Sequence, residues 1–282
     1  MVVADGAGKY RHLPHELRNK PMMDLLTEWE TVDAVLAASE QDQLEPVSDF
    51  EVIAPITYPR AVLCAGANYV DHFEEMGIER PAVAPPPFFF LKPPVTTVVG
   101  PDAAVALPAG DNPRFDYEAE LAVVIGRTTR RVAPDEALDH VAGYTIANDL
   151  SARGRFVRED AIGAPFAFDW LGHKSQDGSC PLGPGLVPAR LVGDPSALAI
   201  RTEVNGAVKQ DNTTAAMYVP LQDLISYASH TMTLNPGDVI LTGTPAGVGA
   251  PRGEFLEAGD VVSITIEGLG TLVTPIGPPD VR

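Results

Sequence analysis

Positive charge is scarce in this 282-residue chain. Twenty Lys and Arg stand against 38 Asp and Glu, a net charge of 20 − 38 = −18. A surface that acidic repels phosphate backbones and anionic headgroups, which argues against nucleic-acid and membrane-surface partners. Long hydrophobic runs are missing too. No apolar stretch approaches the roughly 20 residues that span a bilayer, and the first twenty residues hold no signal-peptide core. The chain therefore reads as soluble and cytoplasmic. Cysteine is nearly absent: Cys64 lies in the run AVLCAGA and Cys180 precedes Pro181. Two such residues make neither a disulfide framework nor a thiolate zinc site; they read as buried free thiols. No GxGxxG or GxxxxGK[ST] follows a strand, so no nucleotide-phosphate loop is expected. With 45% hydrophobic and 21% charged residues, the composition is that of a globular chain, not a disordered one.

Proline and glycine are plentiful, at 27 and 25 residues. From Ala54 onward they separate short apolar runs such as PRAVLCAG, AELAVVIG, VAGYTIAND and GDVVSITIEG. That texture predicts many short strands with turns between them. Few helices are expected: one amphipathic helix over Met22 to Leu44, then 70–77, 134–140 and 215–229. The regular βαβ alternation of a doubly wound fold is missing, so the class is α+β and β-rich. Residues 1–55 read as a small N-terminal appendage and about 56–282 as one β-rich domain.

Chemistry concentrates in four places. In Tyr117-Glu118-Ala119-Glu120-Leu121 a strand would point Glu118 and Glu120 to one face. Two like charges beside the apolar run Leu121 to Ile125 repel at low dielectric, and a divalent cation would relieve this. Asp149 closes the next strand-like run, Val141 to Asn148. Three carboxylates without cysteine suit a hard cation such as Mg²⁺, Mn²⁺ or Ca²⁺. The plainer alternative is a solvated edge strand, with Asp149 capping a turn. Second, His72 and Glu75 would be i, i+3 neighbours on a short helix, and a carboxylate beside an imidazole suits a general base. A surface histidine is the alternative. Third, Arg153 and Lys174 are rare cations in loop-rich stretches, suited to carboxylate capture and to a developing oxyanion. Surface ion pairs are the alternative there. Fourth, Gly237 to Gly249 reads as a strand running into a small-residue loop, where backbone N–H groups and the Thr244 hydroxyl can approach an anion; a plain hairpin would read the same way.

Taken together and in order, several segments resemble the fumarylacetoacetate hydrolase family: Gly66-Ala67-Asn68-Tyr69 with Asp71-His72, Phe90-Leu91-Lys92-Pro93, Tyr117 to Leu121, Asn148 to Arg153, Lys174-Ser175, and Gly237 to Gly249. The resemblance spans about 56–282. It implies a mixed β-sandwich roll with few short helices, assembled as a homodimer. It implies Glu118, Glu120 and Asp149 as ligands of Mg²⁺ or Mn²⁺. It casts His72, Glu75 and Lys174 as catalytic, and Arg153, Thr244, Gly243 and Tyr69 as substrate contacts. The expected activity is metal-dependent hydrolysis of a C–C bond in a 2,4-dioxo acid, an acylpyruvate or fumarylpyruvate, giving pyruvate and a carboxylic acid. Decarboxylation of an oxaloacetate-type 2-oxo acid, isomerisation of a hydroxymuconate-type dienoate, and non-catalytic metal binding are the alternatives. The chain departs from the family pattern at Phe156, where many members carry Gln. With Ile162, Phe166, Phe168 and Trp170, it suggests a less polar distal pocket.

Overall fold

The structure is a computed structural model, and it describes residues 1–4, 9–40, 43–80, 82–110 and 112–280. Its centre is a seven-stranded sheet. In spatial order this comprises β4 (Phe89–Lys92), β3 (Val62–Ala65), β14 (Val239–Leu241), β8 (Ala119–Ile125), β9 (Val141–Asn148), β11 (Cys180–Pro188) and β5 (Val98–Val99). The β14–β3 and β11–β5 pairs are parallel and the others antiparallel. A second sheet, of five strands, runs β13 (Ala207–Thr213), β12 (Ala199–Val204), β15 (Val261–Ile266), β16 (Gly270–Gly277) and β6 (Val105–Ala106). Among the described residues two short ladders complete the β-structure: β1 (Val2–Ala4) with β2 (Tyr10–His12), and β7 (Phe115–Asp116) with β10 (Ser151–Ala152).

Every residue of β8 is buried, as its unbroken apolar run predicts for a central strand. Strand alternation then sorts its side chains. Leu121, Val123 and Ile125 join Ile200, Ile264 and Leu272 in the core between the sheets, while Ala122 and Val124 join Cys64, Leu182 and Leu241 on the other face. Leu26, fully buried, closes that second face. It comes from α1 (Met22–Thr27), which is followed by α2 (Trp29–Ala38). The single helix expected over Met22 to Leu44 is thus two. Glu28 leaves helical geometry at φ −112°, ψ 29°, and Ser39 is extended. The break lets Leu26 face the sheet while Val32 packs with Leu13, Leu17 and Leu25. Residues 41–42 of the expected helix lie outside the described residues.

The helix expected at 70–77 is α3 (Val70–Glu75), and α4 (Pro94–Thr97) and α5 (Trp170–Lys174) are single turns. The segment Pro134–His140 is a 3₁₀ helix. The helix expected over 215–229 is displaced to α6 (Leu221–Thr231), with Pro220 as its N-cap. Pro220 disfavours helical geometry at the residue before it, which moves the start C-terminal of Ala215. Among the described residues no helix is long and apolar enough to cross a membrane. Both cysteines are buried and free, as expected.

Candidate metal and acid–base site

The acidic cluster grows out of the β8–β9 ladder. Ala119 pairs with Asn148 and Glu120 with Ala147, so Asp149, one residue past β9, comes level with Glu118. The Asp149 N–H donates to the Glu118 carbonyl at 2.9 Å. The strand expected from Tyr117 onward is interrupted. Tyr117 N–H is taken by the Asp116 carboxylate at 2.9 Å and Glu118 N–H by the Asn148 side chain at 3.2 Å, so neither joins the ladder. Glu118 and Glu120 still share a face. One carboxylate oxygen each from Glu118, Glu120 and Asp149 lies within 4.8 Å of the other two, and all three residues are buried. The solvated-edge alternative is thereby excluded.

Three cations answer these acids. Lys174 Nζ bridges Glu118 Oε2 at 2.7 Å and Asp149 Oδ2 at 2.9 Å. Arg153 reaches Asp116 Oδ2 at 2.9 Å and Glu118 Oε1 at 2.6 Å. Lys92, fully buried, lies 2.6 Å from Asp149 Oδ1. Burial pushes the Glu118 carboxyl up, but Lys174 and Arg153 outweigh it and hold the group well below the carboxylate range. Glu120 has no such partner. Burial, then Asp149 and Glu118, push its pKa well above the ordinary value, and the charge of Lys174 together with a 2.5 Å bond from Gly243 N–H offsets only part of this. An all-oxygen, buried trio with one strongly destabilised carboxylate fits a hard divalent cation, whose charge would offset that cost.

Gly243 reaches Glu120 because it adopts φ +93°, and a Cβ there would stand 2.7 Å from Asn68 Cβ. Asn68 in turn donates to the carbonyls of Thr242 and Val219 and accepts from Val219 N–H. This seats the turn before α3. His72 and Glu75 are indeed adjacent on α3, with Nδ1 and Oε1 2.5 Å apart and His72 buried. The other Glu75 oxygen accepts from Gly247 N–H at 2.9 Å. His72 also helps to hold down the Glu118 pKa, so the pair lies within electrostatic reach of the trio. Tyr69, the α3 N-cap, is wholly buried, and its hydroxyl has no hydrogen-bond partner among the described residues. Thr244 Oγ1 accepts from Gln210 Nε2 at 2.8 Å, leaving its own proton to donate. The candidate site residues named from the sequence therefore converge from five separate segments. Arg153 and Lys174 are not solvent-exposed ion pairs.

Four contributors went unassigned in the sequence. Lys92 shares a strand face with Phe90 in a motif already noted. Asp116 extends the every-second-residue spacing of Glu118 and Glu120, and it accepts from Arg153, Gly249 N–H and Ala250 N–H. Gln210 and His173 carry no local signal. His173 is buried against Arg153 and Lys174; burial first, then these two cations, lower its pKa to about 2, so its ring is neutral.

The sequence profile of the fumarylacetoacetate (FAA) hydrolase C-terminal domain matches residues 61–277. The chain belongs to the fumarylacetoacetate hydrolase family. A curated relative, the mitochondrial oxaloacetate tautomerase FAHD2B of Homo sapiens, is 40% identical over 261 residues, 91% of this chain and 80% of that protein. Among solved structures, 5-carboxymethyl-2-hydroxymuconate delta-isomerase from Mycobacterium smegmatis matches with TM-score 0.73 and 36% identity over 98% of this chain and 93% of that one. Maleylpyruvate hydrolase from Sphingobium sp. SYK-6, solved with manganese (II) and pyruvate, matches with TM-score 0.75 and 27% identity over 99% and 96%. The family thus supports an enzyme, and these relatives divide between tautomerase, isomerase and hydrolase.

Proposed function

We propose that this protein enolises a 2-oxo acid, interconverting its keto and enol forms at a Mg²⁺ or Mn²⁺ centre held by Glu118, Glu120 and Asp149. The observation that carries the reading is buried His72 paired with half-buried Glu75, within electrostatic reach of the carboxylate trio. The human relative's name, oxaloacetate tautomerase, supports it. A bound divalent cation would supply Lewis-acid stabilisation of the enolate oxygen.

The chain's own groups move the proton. Glu75 engages His72 Nδ1 and leaves Nε2 as the acid–base atom. In the enolising direction Nε2 takes the proton from the carbon next to the 2-oxo group; in the reverse direction it returns it. Gly247 N–H, held on Glu75, keeps that carboxylate aimed at the ring. Lys174 is the donor for the oxygen that gains charge. Arg153, the Tyr69 and Thr244 hydroxyls and the backbone at Gly243 orient the substrate. In this reading 56–282 is the catalytic unit, 1–55 an appendage, and the assembly a homodimer.

Hydrolysis of a 2,4-dioxo acid is the second reading, because an imidazole oriented by Glu75 is equally suited to activating water. Purified enzyme with Mn²⁺ separates the readings. Accelerated loss of enol oxaloacetate without pyruvate or CO₂ release supports tautomerisation. Pyruvate release from acetylpyruvate or fumarylpyruvate would install the hydrolase instead, and CO₂ from oxaloacetate a decarboxylase.

A further inference from the structure

One side of the site is walled by aromatic rings. Phe90 lies 5.1 Å from Lys174 Nζ and is stacked on Trp170 at 4.9 Å. Trp170 meets Phe156 edge-on at 4.9 Å and Phe88 at 5.2 Å. Phe156 stacks on Phe168 at 5.0 Å and packs on the His173 ring at 4.5 Å. The inner end of this network touches the cations of the site, since His173 Nε2 is 3.4 Å from Arg153 Nη1. Its outer end is open: Phe168 is 54% and Phe88 51% exposed. A continuous chain of aromatic contacts therefore runs from exposed Phe168 and Phe88 to Arg153 and Lys174.

Charge points the same way. Asp116, Glu118, Glu120 and Asp149 face Lys92, Arg153 and Lys174, four negative groups against three positive. A dication turns that balance to +1, which one carboxylate neutralises. A second, distal carboxylate would find these cations already engaged. Arg155, nearer the outside, is tied to Ala109 O and to Gln176 Oε1. The charged residue set between Phe168 and Trp170 is Asp169, itself an acid whose oxygen caps α5 by accepting from Gly172 N–H. Dispersion and ring contacts, not ion pairing, are what this wall offers a ligand.

We infer that the site takes 2-oxo acids whose distal group is apolar, aromatic or branched aliphatic, in preference to dicarboxylates such as oxaloacetate, and that Phe156 sets this preference. The inference rests on the enolisation reading. The step adds no co-reactant: in ketonisation the enol O–H is lost, a C–H bond forms at the neighbouring carbon, and the proton passes through His72.

The test uses the full chain with Mn²⁺. Ketonisation of enol phenylpyruvate is compared with that of enol oxaloacetate. The wild type should favour phenylpyruvate in kcat/KM by about tenfold or more, the scale of a well-formed apolar contact. Phe156→Gln should lower that ratio about tenfold, whereas Phe156→Leu, which keeps the position apolar, should hold it within about threefold. A wild-type preference for oxaloacetate, or a ratio unmoved by Phe156→Gln, overturns the proposal. Binding is read separately. In a Trp29→Phe background Trp170 is the one remaining tryptophan. Its fluorescence should respond to 4-methyl-2-oxopentanoate at concentrations where 2-oxoglutarate has no effect. If neither enol is turned over, the enolisation reading fails while this titration still decides: tighter 2-oxoglutarate binding refutes the apolar wall, and tighter 4-methyl-2-oxopentanoate binding upholds it.

Discussion

Lys92 offers the sharpest test of how the acidic cluster is held together. Its ammonium is fully buried, 2.6 Å from Asp149 Oδ1. It also donates to the Leu150 carbonyl at 3.1 Å, to Ser179 Oγ at 3.2 Å and to the Lys174 carbonyl. Lys92→Met keeps the length of the side chain and removes the charge with all three donors. Among the described residues Asp149 then keeps only Lys174 as a cationic partner, and two buried carbonyls lose a donor. Breaking a buried pair from one side costs about 3–5 kcal/mol, because the surviving charge is left uncompensated. The retained 2.9 Å contact to Lys174 argues for the lower end of that range. Urea unfolding followed by tryptophan fluorescence, in EDTA, measures the loss. Added Mn²⁺ should narrow the gap to wild type, because it restores positive charge beside Asp149. A loss below about 1 kcal/mol, the worth of an exposed pair, would refute the reasoning.

Further expectations follow from single contacts. Wild-type protein should gain about 2.7 kcal/mol of stability at Mn²⁺ one hundredfold above Kd, and Glu120→Gln should gain almost none; an unchanged gain in a calorimetric melt would remove Glu120 from the ligand set. Gly247 has φ +107°, and a Cβ there would meet the Lys209 carbonyl at 2.0 Å. Gly247→Ala should therefore displace the N–H that holds Glu75 and lose more than about 1 kcal/mol together with most of the activity; a variant of wild-type stability and rate would contradict this. Burial pushes the Cys180 thiol up to about 12 and Cys64 well above its ordinary value. Both should resist a disulfide reagent at pH 8 until the chain is unfolded, and rapid labelling of the native protein would show that the second core is open.

Much of the site was legible because it follows local rules. The every-second-residue spacing of extended backbone is enough to put Glu118 and Glu120 on one face, and the i, i+3 spacing is enough to bring Glu75 to His72. Both survive any error in the element boundaries, such as the break at Tyr117 and Glu118. Asp149 needs only the β8–β9 hairpin pairing. The partners of these acids are another matter. Lys92 reaches Asp149 across 57 positions, and Lys174 reaches Glu118 across 56. Gln210 holds Thr244 from the second sheet. Such contacts depend on how the sheets stack, which no local pattern encodes. The N-terminal helix failed for a related reason: helical periodicity continues through Glu28, but Leu26 and Val32 have different cores to fill.

The central claim is that His72, oriented by Glu75 beside a divalent cation on Glu118, Glu120 and Asp149, moves a proton at the carbon next to a 2-oxo group. Hydrogen–deuterium exchange at that carbon reads this step whatever follows it. Oxaloacetate and phenylpyruvate would be incubated in D₂O with Mn²⁺-loaded enzyme, followed by mass spectrometry, alongside His72→Gln. The account predicts enzyme-dependent deuterium uptake that falls by about 10²–10⁴ in the variant while Mn²⁺ binding stays intact. Uptake at the wild-type rate in His72→Gln, or none above Mn²⁺ alone with wild-type enzyme, would contradict it.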